Sequence, residues 1–263
     1  MRTVTVDIPD DVASVLRNSR IEGKILHLPL QLEPKHYQRV KKIIELLGGK
    51  WLKGPKHHEF PCNVEELIPD VLQAGVVENT KQTYQIFETP PEVAELLINE
   101  IPPGILRDGC QVLEPSAGSG RLIRALADRV NELGISVQIT AADIRPEVRA
   151  ELAALPYVLP PIITMDFLKM PALANYDLIL MNPPFTGGDA KRHVLHALKM
   201  LRPHGVLLAI TPPGGGNDGP VKLKADYRKA IDYYSTKTIS LAKDAFKASG
   251  TGVDTELQVF QIP

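Results

Sequence analysis

The stretch Val112-Leu113-Glu114-Pro115-Ser116-Ala117-Gly118-Ser119-Gly120 runs straight into an apolar-striped segment, Arg121 to Val130, and this join leaves few folds open. A short strand, a Gly-x-Gly turn and a helix start put backbone N–H groups and a positive helix end beside whatever binds there. The same alternation continues downstream. Val137 to Ala142 reads as a second strand ending in Asp143-Ile144-Arg145-Pro146, and Ile162-Ile163-Thr164-Met165 as a third ending in Asp166-Phe167-Leu168. A fourth strand, Tyr176 to Leu180, precedes a helix predicted over Ala190 to Leu201 and a fifth strand from Gly205 to Ile210. Strands alternating with helices imply right-handed crossovers and a doubly wound, Rossmann-like α/β sheet. The full dinucleotide fingerprint Gly-x-Gly-x-x-Gly is absent, because Ile123 stands at its third glycine, which weighs against a dehydrogenase.

The fourth strand runs into Met181-Asn182-Pro183-Pro184-Phe185, so Asn182, Pro183, Pro184 and Phe185 fall at a strand's carboxyl end, where open α/β sheets keep their ligands. Two prolines remove two backbone donors and stiffen the turn. Asn182 offers an amide oxygen, Pro183 a fixed carbonyl and Phe185 a flat apolar face. Together these suit a planar ring carrying an exocyclic amino group, with two acceptors for its hydrogens and a surface for stacking. A rigid strand-to-helix turn with Phe185 buried would use the same residues. Asp143, at the end of the second strand, is placed to accept from ribose hydroxyls, or to cap the turn before Arg145-Pro146.

Asn-Pro-Pro-Phe at a strand end, about seventy residues after Glu-Pro-Ser-Ala-Gly-x-Gly, resembles the motif pair of S-adenosylmethionine-dependent N6-adenine DNA methyltransferases. Related turns occur in RNA adenine-N6 and guanine-N2 methyltransferases and in protein-glutamine methyltransferases. The resemblance implies a class I methyltransferase sheet with an antiparallel last strand. It further implies that S-adenosylmethionine is held by Glu114, Pro115, Ser116, Ala117, Gly118, Gly120, Asp143 and Asn182, with Asp166 accepting from the cofactor's adenine and Ile144 or Phe167 packing on that ring. Upstream, Phe87-Glu88-Thr89-Pro90-Pro91 precedes an amphipathic helix, with Thr89 as candidate cap. By resemblance, Thr89 and Pro90 cover the methionine end of the cofactor, and the motif order matches the gamma arrangement of these enzymes; Gly48-Gly49-Lys50-Trp51 is similar to a segment that precedes the catalytic domain in some plasmid- and phage-type adenine methyltransferases. The Ser249-Gly250-Thr251-Gly252 stretch resembles the family's last hairpin, and Glu256 to Ile262 its closing strand.

The methyltransferase domain is expected over 81–263, after a small α+β accessory unit over 1–80. There, Leu32 to Leu47 predicts an amphipathic helix and Gly48 to Phe60 a hairpin with a Gly-Pro turn. Between Lys35 and Lys56 seven basic residues face one acid, Glu45. Lys50, Trp51, Lys53 and Lys56 are therefore candidate phosphate-backbone contacts, against the alternative of a solvated face with Trp51 packed on the core. Pro212-Pro213-Gly214-Gly215-Gly216 suggests a mobile flap, with Lys222, Lys224 and Arg228 beyond it as further candidate phosphate contacts.

A chain of 263 residues with 44% hydrophobic content has enough apolar matter for one sizeable core plus a small unit. A net charge of −1 means that nucleic-acid affinity must come from local patches. Cys62 and Cys110 lack metal spacing and read as reduced thiols; no metal site is expected. No apolar run approaches membrane length and Met1 to Asp7 does not read as a signal, so a cytoplasmic protein is expected. His193, His196 and His204 read as surface or structural. The partners implied are double-stranded DNA and a separate specificity or restriction partner. An RNA or protein-amide substrate, or a noncatalytic nucleic-acid-binding protein, remains open on the residues alone.

Overall fold

The computed structural model describes residues 5–29, 32–60, 64–65, 67–78, 88–246 and 253–263. The chain divides into two compact units, Met1–Ile86 and Phe87–Pro263.

The first unit contains β1 (Thr5–Asp7), α1 (Asp10–Arg17), β2 (Arg20–Glu22), β3 (Ile25–His27), α2 (Pro34–Leu46), β4 (Lys50–Leu52), β5 (His57–Glu59), α3 (Leu67–Ala74) and β6 (Val76–Glu78). Asp10 and Asp11 in the first turn of α1 and Arg17 in its last complement the helix dipole. Pro34 starts α2, where its missing N–H costs nothing, and Val40, Ile43 and Ile44 form its buried stripe. Strands β2, β3, β5 and β4 form an antiparallel sheet in that order, and β1 pairs with β6. Leu26, Val40, Ile44, Phe60 and Ile68 meet in one core.

The second unit begins with α4 (Pro91–Asn99), followed by β7 (Cys110–Glu114), α5 (Arg121–Leu133), β8 (Val137–Asp143), α6 (Arg149–Ala153), β9 (Ile163–Thr164), β10 (Tyr176–Met181), α7 (Asp189–Leu198), β11 (Leu201–Thr211), α8 (Val221–Tyr234), β12 (Ser235–Ser240) and β13 (Glu256–Gln261); α6, α8 and β12 were not anticipated. The sheet order is β12-β13-β11-β10-β7-β8-β9. Strands β7 to β11 run parallel, and β13 is antiparallel to both β11 and β12. Successive side chains on a strand point to opposite faces. Val112, Leu178, Leu180, Val206 and Leu208 therefore enter one core layer with Leu97, Leu122 and Leu126. Leu113, Ile179, Met181, Leu207 and Ala209 enter the other, beneath Val194, Ala197 and Tyr227. Continuous apolar runs in the central strands follow from this burial on both faces.

Several sequence-based boundaries shift. The helix predicted to reach Leu201 ends at Leu198, and β11 starts at Leu201, four residues before the expected Gly205. Leu201 pairs with Tyr176, and the register slips before Leu178 pairs with Val206, so a residue in phase with the helix is claimed by the sheet. The third strand shrinks to Ile163–Thr164, where among the described residues only β8 pairs with it.

At the amino ends of the central strands, buried Asp177 accepts from Arg107 Nη2 (2.9 Å), Gln111 N (2.8 Å) and Arg202 Nη1 (3.1 Å). Burial pushes its carboxyl up, but the Gln111 N–H and the two guanidiniums outweigh this and hold it below the usual carboxylate range. This cluster ties β7, β10 and β11 together at the end opposite the candidate site.

Candidate active site

The order of the sheet reverses between β7 and β10, and the crevice outside the carboxyl ends of those strands is where such folds bind ligands. Glu114 ends β7 there and Asn182 follows β10. Glu114 is only 3% exposed, and its Oε2 has no hydrogen-bond partner among the described residues. Burial first, and then the charge of Asp143, push its carboxyl well above the ordinary range, against a smaller opposing bond from the Ile123 backbone.

The glycine turn is built by close approach. Gly118 (φ +56°) donates its N–H to Asp143 Oδ2 at 2.8 Å, and Ala117 N donates to Ala142 O at 2.9 Å, tying the turn to the end of β8. Gly120 (φ +78°) starts α5, and a Cβ on it would lie 2.3 Å from Leu155 Cδ1, so only glycine fits. Asp143 is saturated by its own strand end: Oδ1 accepts from Arg145 N (2.9 Å) and Nε (3.0 Å), and Oδ2 from Arg145 Nη2 (3.3 Å) as well as Gly118. Arg145, absent from the sequence-based candidates, thus lies on the carboxylate expected to meet ribose. Asp166 caps the turn at 167–169 by accepting from Leu168 N at 3.0 Å.

Ile144 and Phe167 separate. Ile144 is 38% exposed, whereas Phe167 is buried in the core layer under α7, its ring centroid 4.9 Å from that of His196 and 5.5 Å from that of His193. Phe167 therefore offers no open face for a ligand ring, and Met165, 38% exposed just beyond β9 as Ile144 is just beyond β8, is an apolar residue that the sequence did not single out. His193 Nδ1 and His196 Nε2 lie 2.8 and 3.0 Å from the Asp189 and Met170 carbonyls, which is a structural role.

Thr89 is not the cap of α4. Pro90 occupies that position and no side chain caps the helix. The buried Thr89 hydroxyl instead accepts from Asn182 Nδ2 at 3.1 Å, while Ser116 Oγ donates to the Asn182 carbonyl at 3.4 Å. Beside them, Glu88 Oε2 accepts from Ser119 Oγ at 2.6 Å and from Arg121 Nε at 3.3 Å. The segment 88–90, the glycine turn and the Asn-Pro-Pro-Phe turn are thus knitted into one structure. Pro183 is buried, Pro184 and Pro90 are half-buried, and Phe185 is 4% exposed, with the Phe246 ring edge-on at 6.2 Å and 83°.

The three-glycine loop is anchored, contrary to the mobile flap expected. Lys191 of α7, 1% exposed, donates from Nζ to the carbonyls of Gly215 (2.7 Å) and Asp218 (3.0 Å). Gly188 N, just beyond Phe185, donates to Asp218 Oδ2 at 3.0 Å. Underneath, Tyr227 Oη donates to Gln258 Oε1, Gln258 Nε2 to Glu256 Oε1, and Gly214 N to that same oxygen. The glycines serve positive φ and close approach.

Lys222, Lys224 and Arg228 are exposed on α8. In the first unit, Lys50, Trp51, Lys53 and Lys56 are exposed on the β4–β5 hairpin, with Trp51 40% exposed and its ring 5.0 Å from that of buried His58. Trp51 is therefore not a core residue. Part of the basic excess is neutralised: Arg39 pairs with Asp11 at 2.6 Å and Lys41 with Glu45 at 3.5 Å. Burial and the Asp177 charge push the Cys110 thiol up to about 11. Cys62, Phe87 and the 249–252 stretch lie outside the described residues. Among the described residues no group of His, Cys, Asp and Glu could hold a metal ion, and no helix is long and apolar enough to cross a membrane.

No family model and no curated protein matches the chain. Solved structures do. One, described as a class I S-adenosylmethionine-dependent methyltransferase from Listeria monocytogenes, superposes with a TM-score of 0.52 at 13% identity, covering 68% of this chain and 61% of that one. One described as the modification subunit of a type I restriction enzyme from Vibrio vulnificus gives 0.54 at 16% identity, with coverages of 74% and 48%. The methyltransferase subunit of a type I restriction-modification system from Streptococcus thermophilus gives 0.54 at 17%, with coverages of 87% and 53%. The fold of the second unit is accordingly that of the Rossmann-like class I methyltransferases, and the chain spans 48% to 61% of the length of these three structures.

Proposed function

We propose that the chain binds S-adenosylmethionine in the crevice between β7 and β10 and transfers its methyl group to the N6 amino group of adenine in DNA. The observation that carries this reading is Asn182, held at the switch point by Thr89 and Ser116 and followed by two prolines and Phe185. Two of the structural neighbours are named as restriction-modification methylation subunits, which favours DNA among the polymers.

The residues present fit the cofactor. The unpartnered buried oxygen of Glu114 suits a cation such as the α-ammonium of the methionine moiety, whose charge would draw the carboxyl back to its ionised form. Asp143 and the Gly118 to Gly120 turn suit the ribose, with Arg145 giving way or sharing the carboxylate. Asp166 with Ile144 suits the adenine. S-adenosylmethionine supplies a methyl already activated by its sulfonium, so the chain has to supply position, not a covalent nucleophile.

Asn182 Oδ1 and the Pro183 carbonyl accept the two N–H bonds of the target amino group, drawing its lone pair out of ring conjugation toward the methyl. No strong base is needed, because the nitrogen sheds its proton only after it has become cationic. Phe185 is buried in the core layer beside Phe246, so stacking on the rotated base requires its ring to turn out of that layer; the stack then offsets part of the few kcal/mol that unstacking costs. Lys222, Lys224 and Arg228, with Lys50, Trp51, Lys53 and Lys56, engage the DNA backbone, and binding weakens steeply with salt.

The test is incubation with methyl-labelled S-adenosylmethionine and, separately, double-stranded DNA, single-stranded DNA, RNA and cell protein, followed by digestion to monomers. N6-methyladenine from DNA, lost in Asn182→Ala, is the expected result. Label in RNA or in glutamine would move the substrate, and no label despite cofactor binding would replace the enzyme with a binding protein.

A further inference from the structure

An asparagine amide has two ends of opposite character: oxygen accepts, nitrogen donates, and a half-turn about the last side-chain bond exchanges them at little steric cost. For an asparagine that must accept from an amino group, the wrong end would present donor to donor. A neighbouring hydroxyl can meet either end, because it both donates and accepts, so what such a neighbour secures is where the amide sits. The Thr89 hydroxyl is buried, is not used to cap α4, and takes the Nδ2 proton of Asn182 at 3.1 Å across ninety-three positions of sequence. Ser116 Oγ, from the glycine turn, holds the same residue by its carbonyl at 3.4 Å. Glu88, the neighbour of Thr89, is bonded to Ser119 and Arg121 on the far side of that turn.

We propose that Thr89 is a positioning residue whose hydroxyl holds the Asn182 side chain in place at the switch point, with Nδ2 against that hydroxyl, and not a residue that binds cofactor through its side chain. This rests on the methyl-transfer reading above. Through Glu88 and Ser116 the same residues link the glycine turn to the acceptor, so the methyl donor's loop and the target's acceptor are set by one bonded segment.

The variants Thr89→Val and Thr89→Ser decide it. Valine matches threonine in shape and lacks the hydroxyl; serine keeps it. Thr89→Val should lower kcat about tenfold or more, the size associated with leaving a buried donor unpaired, while the dissociation constant for S-adenosylmethionine stays within about twofold. Thr89→Ser should recover turnover to within about threefold of the parent. Equal loss of cofactor affinity and kcat in Thr89→Val, or unchanged kcat, overturns the proposal. A second readout needs no turnover: the side-chain amide resonances of Asn182, assigned by their loss in Asn182→Ala, should move in Thr89→Val and stay near the parent position in Thr89→Ser. Resonances unmoved by valine overturn the proposal. If the parent protein methylates nothing, the methyl-transfer reading fails, and the amide resonances still decide whether Thr89 holds Asn182.

Discussion

Placing a methyl group on Gly215 asks whether the glycine-rich loop after β11 is held or free. Gly215 sits at φ +74°, so an alanine there pays the left-handed penalty of about 1–2 kcal/mol. Its Cβ would also lie 2.6 Å from Tyr227 Cε1, 2.9 Å from Cζ and 3.0 Å from Lys191 Cγ. Neither neighbour yields easily: Tyr227 is bonded through its hydroxyl to Gln258, and Lys191 to two loop carbonyls. Overpacking of this kind costs about 1–3 kcal/mol more, for a total of about 2–5 kcal/mol. Gly214 supplies the control, since it has φ +59° and nothing within 4 Å of its would-be Cβ, leaving only the first cost. Urea unfolding followed by far-UV circular dichroism measures both variants. The only tryptophan, Trp51, belongs to the first unit. Gly215→Ala should lose about 1–3 kcal/mol more than Gly214→Ala. Equal losses would refute the argument and return the loop to the mobile flap that its composition suggests.

Asn182→Ala should abolish methyl transfer with cofactor affinity retained, whereas Asp143→Ala, which also releases Gly118 N, should weaken cofactor binding; calorimetry on both variants separates the roles, and equal cofactor loss would sink the division. Asp177→Asn should destabilise the sheet unit by about 2–3 kcal/mol at pH 7, less than for a fully buried pair because Arg107 and Arg202 are half exposed. Because the Asp177 carboxyl is held low, its contribution is present above the unfolded carboxylate pKa of about 3.9 and is lost as pH falls through its folded value, so parent and variant should converge in acid. Glu114 has the opposite sign: its raised carboxyl binds a proton that the unfolded chain has released, so the cofactor-free protein loses stability as pH rises through that folded value. Glu114→Gln should flatten this slope and weaken cofactor binding, and an unchanged pH profile in thermal melts would contradict the assignment.

The sheet was legible because its signals are local. Apolar runs ending in Gly-x-Gly, Asp and Asn-Pro-Pro-Phe announce strands, their carboxyl ends and the crossovers between them, and alternation along each strand supplies both core layers. The boundaries that moved did so where two local patterns competed for one residue, as at Leu201, where pairing with Tyr176 prevailed over helical phase. The loop at 212–216 was misread because a glycine run is equally the signature of freedom and of tight contact, and only the neighbours Tyr227 and Lys191 distinguish them.

By itself, then, the sequence determined the strand order from β7 to β11, the doubly wound architecture and the chemical groups brought to the carboxyl edge of the sheet, since each depends on residues within a turn or two of one another. Tertiary structure alone decided what those groups touch: Phe246 against Phe185, Lys191 under the glycine loop, and Thr89 turned from helix cap to partner of Asn182. Those pairings join segments that become neighbours only when β10 is laid beside β7, or when a buried charge must find carbonyls to bond. No pattern along the chain encodes the distance between side chains that far apart in sequence.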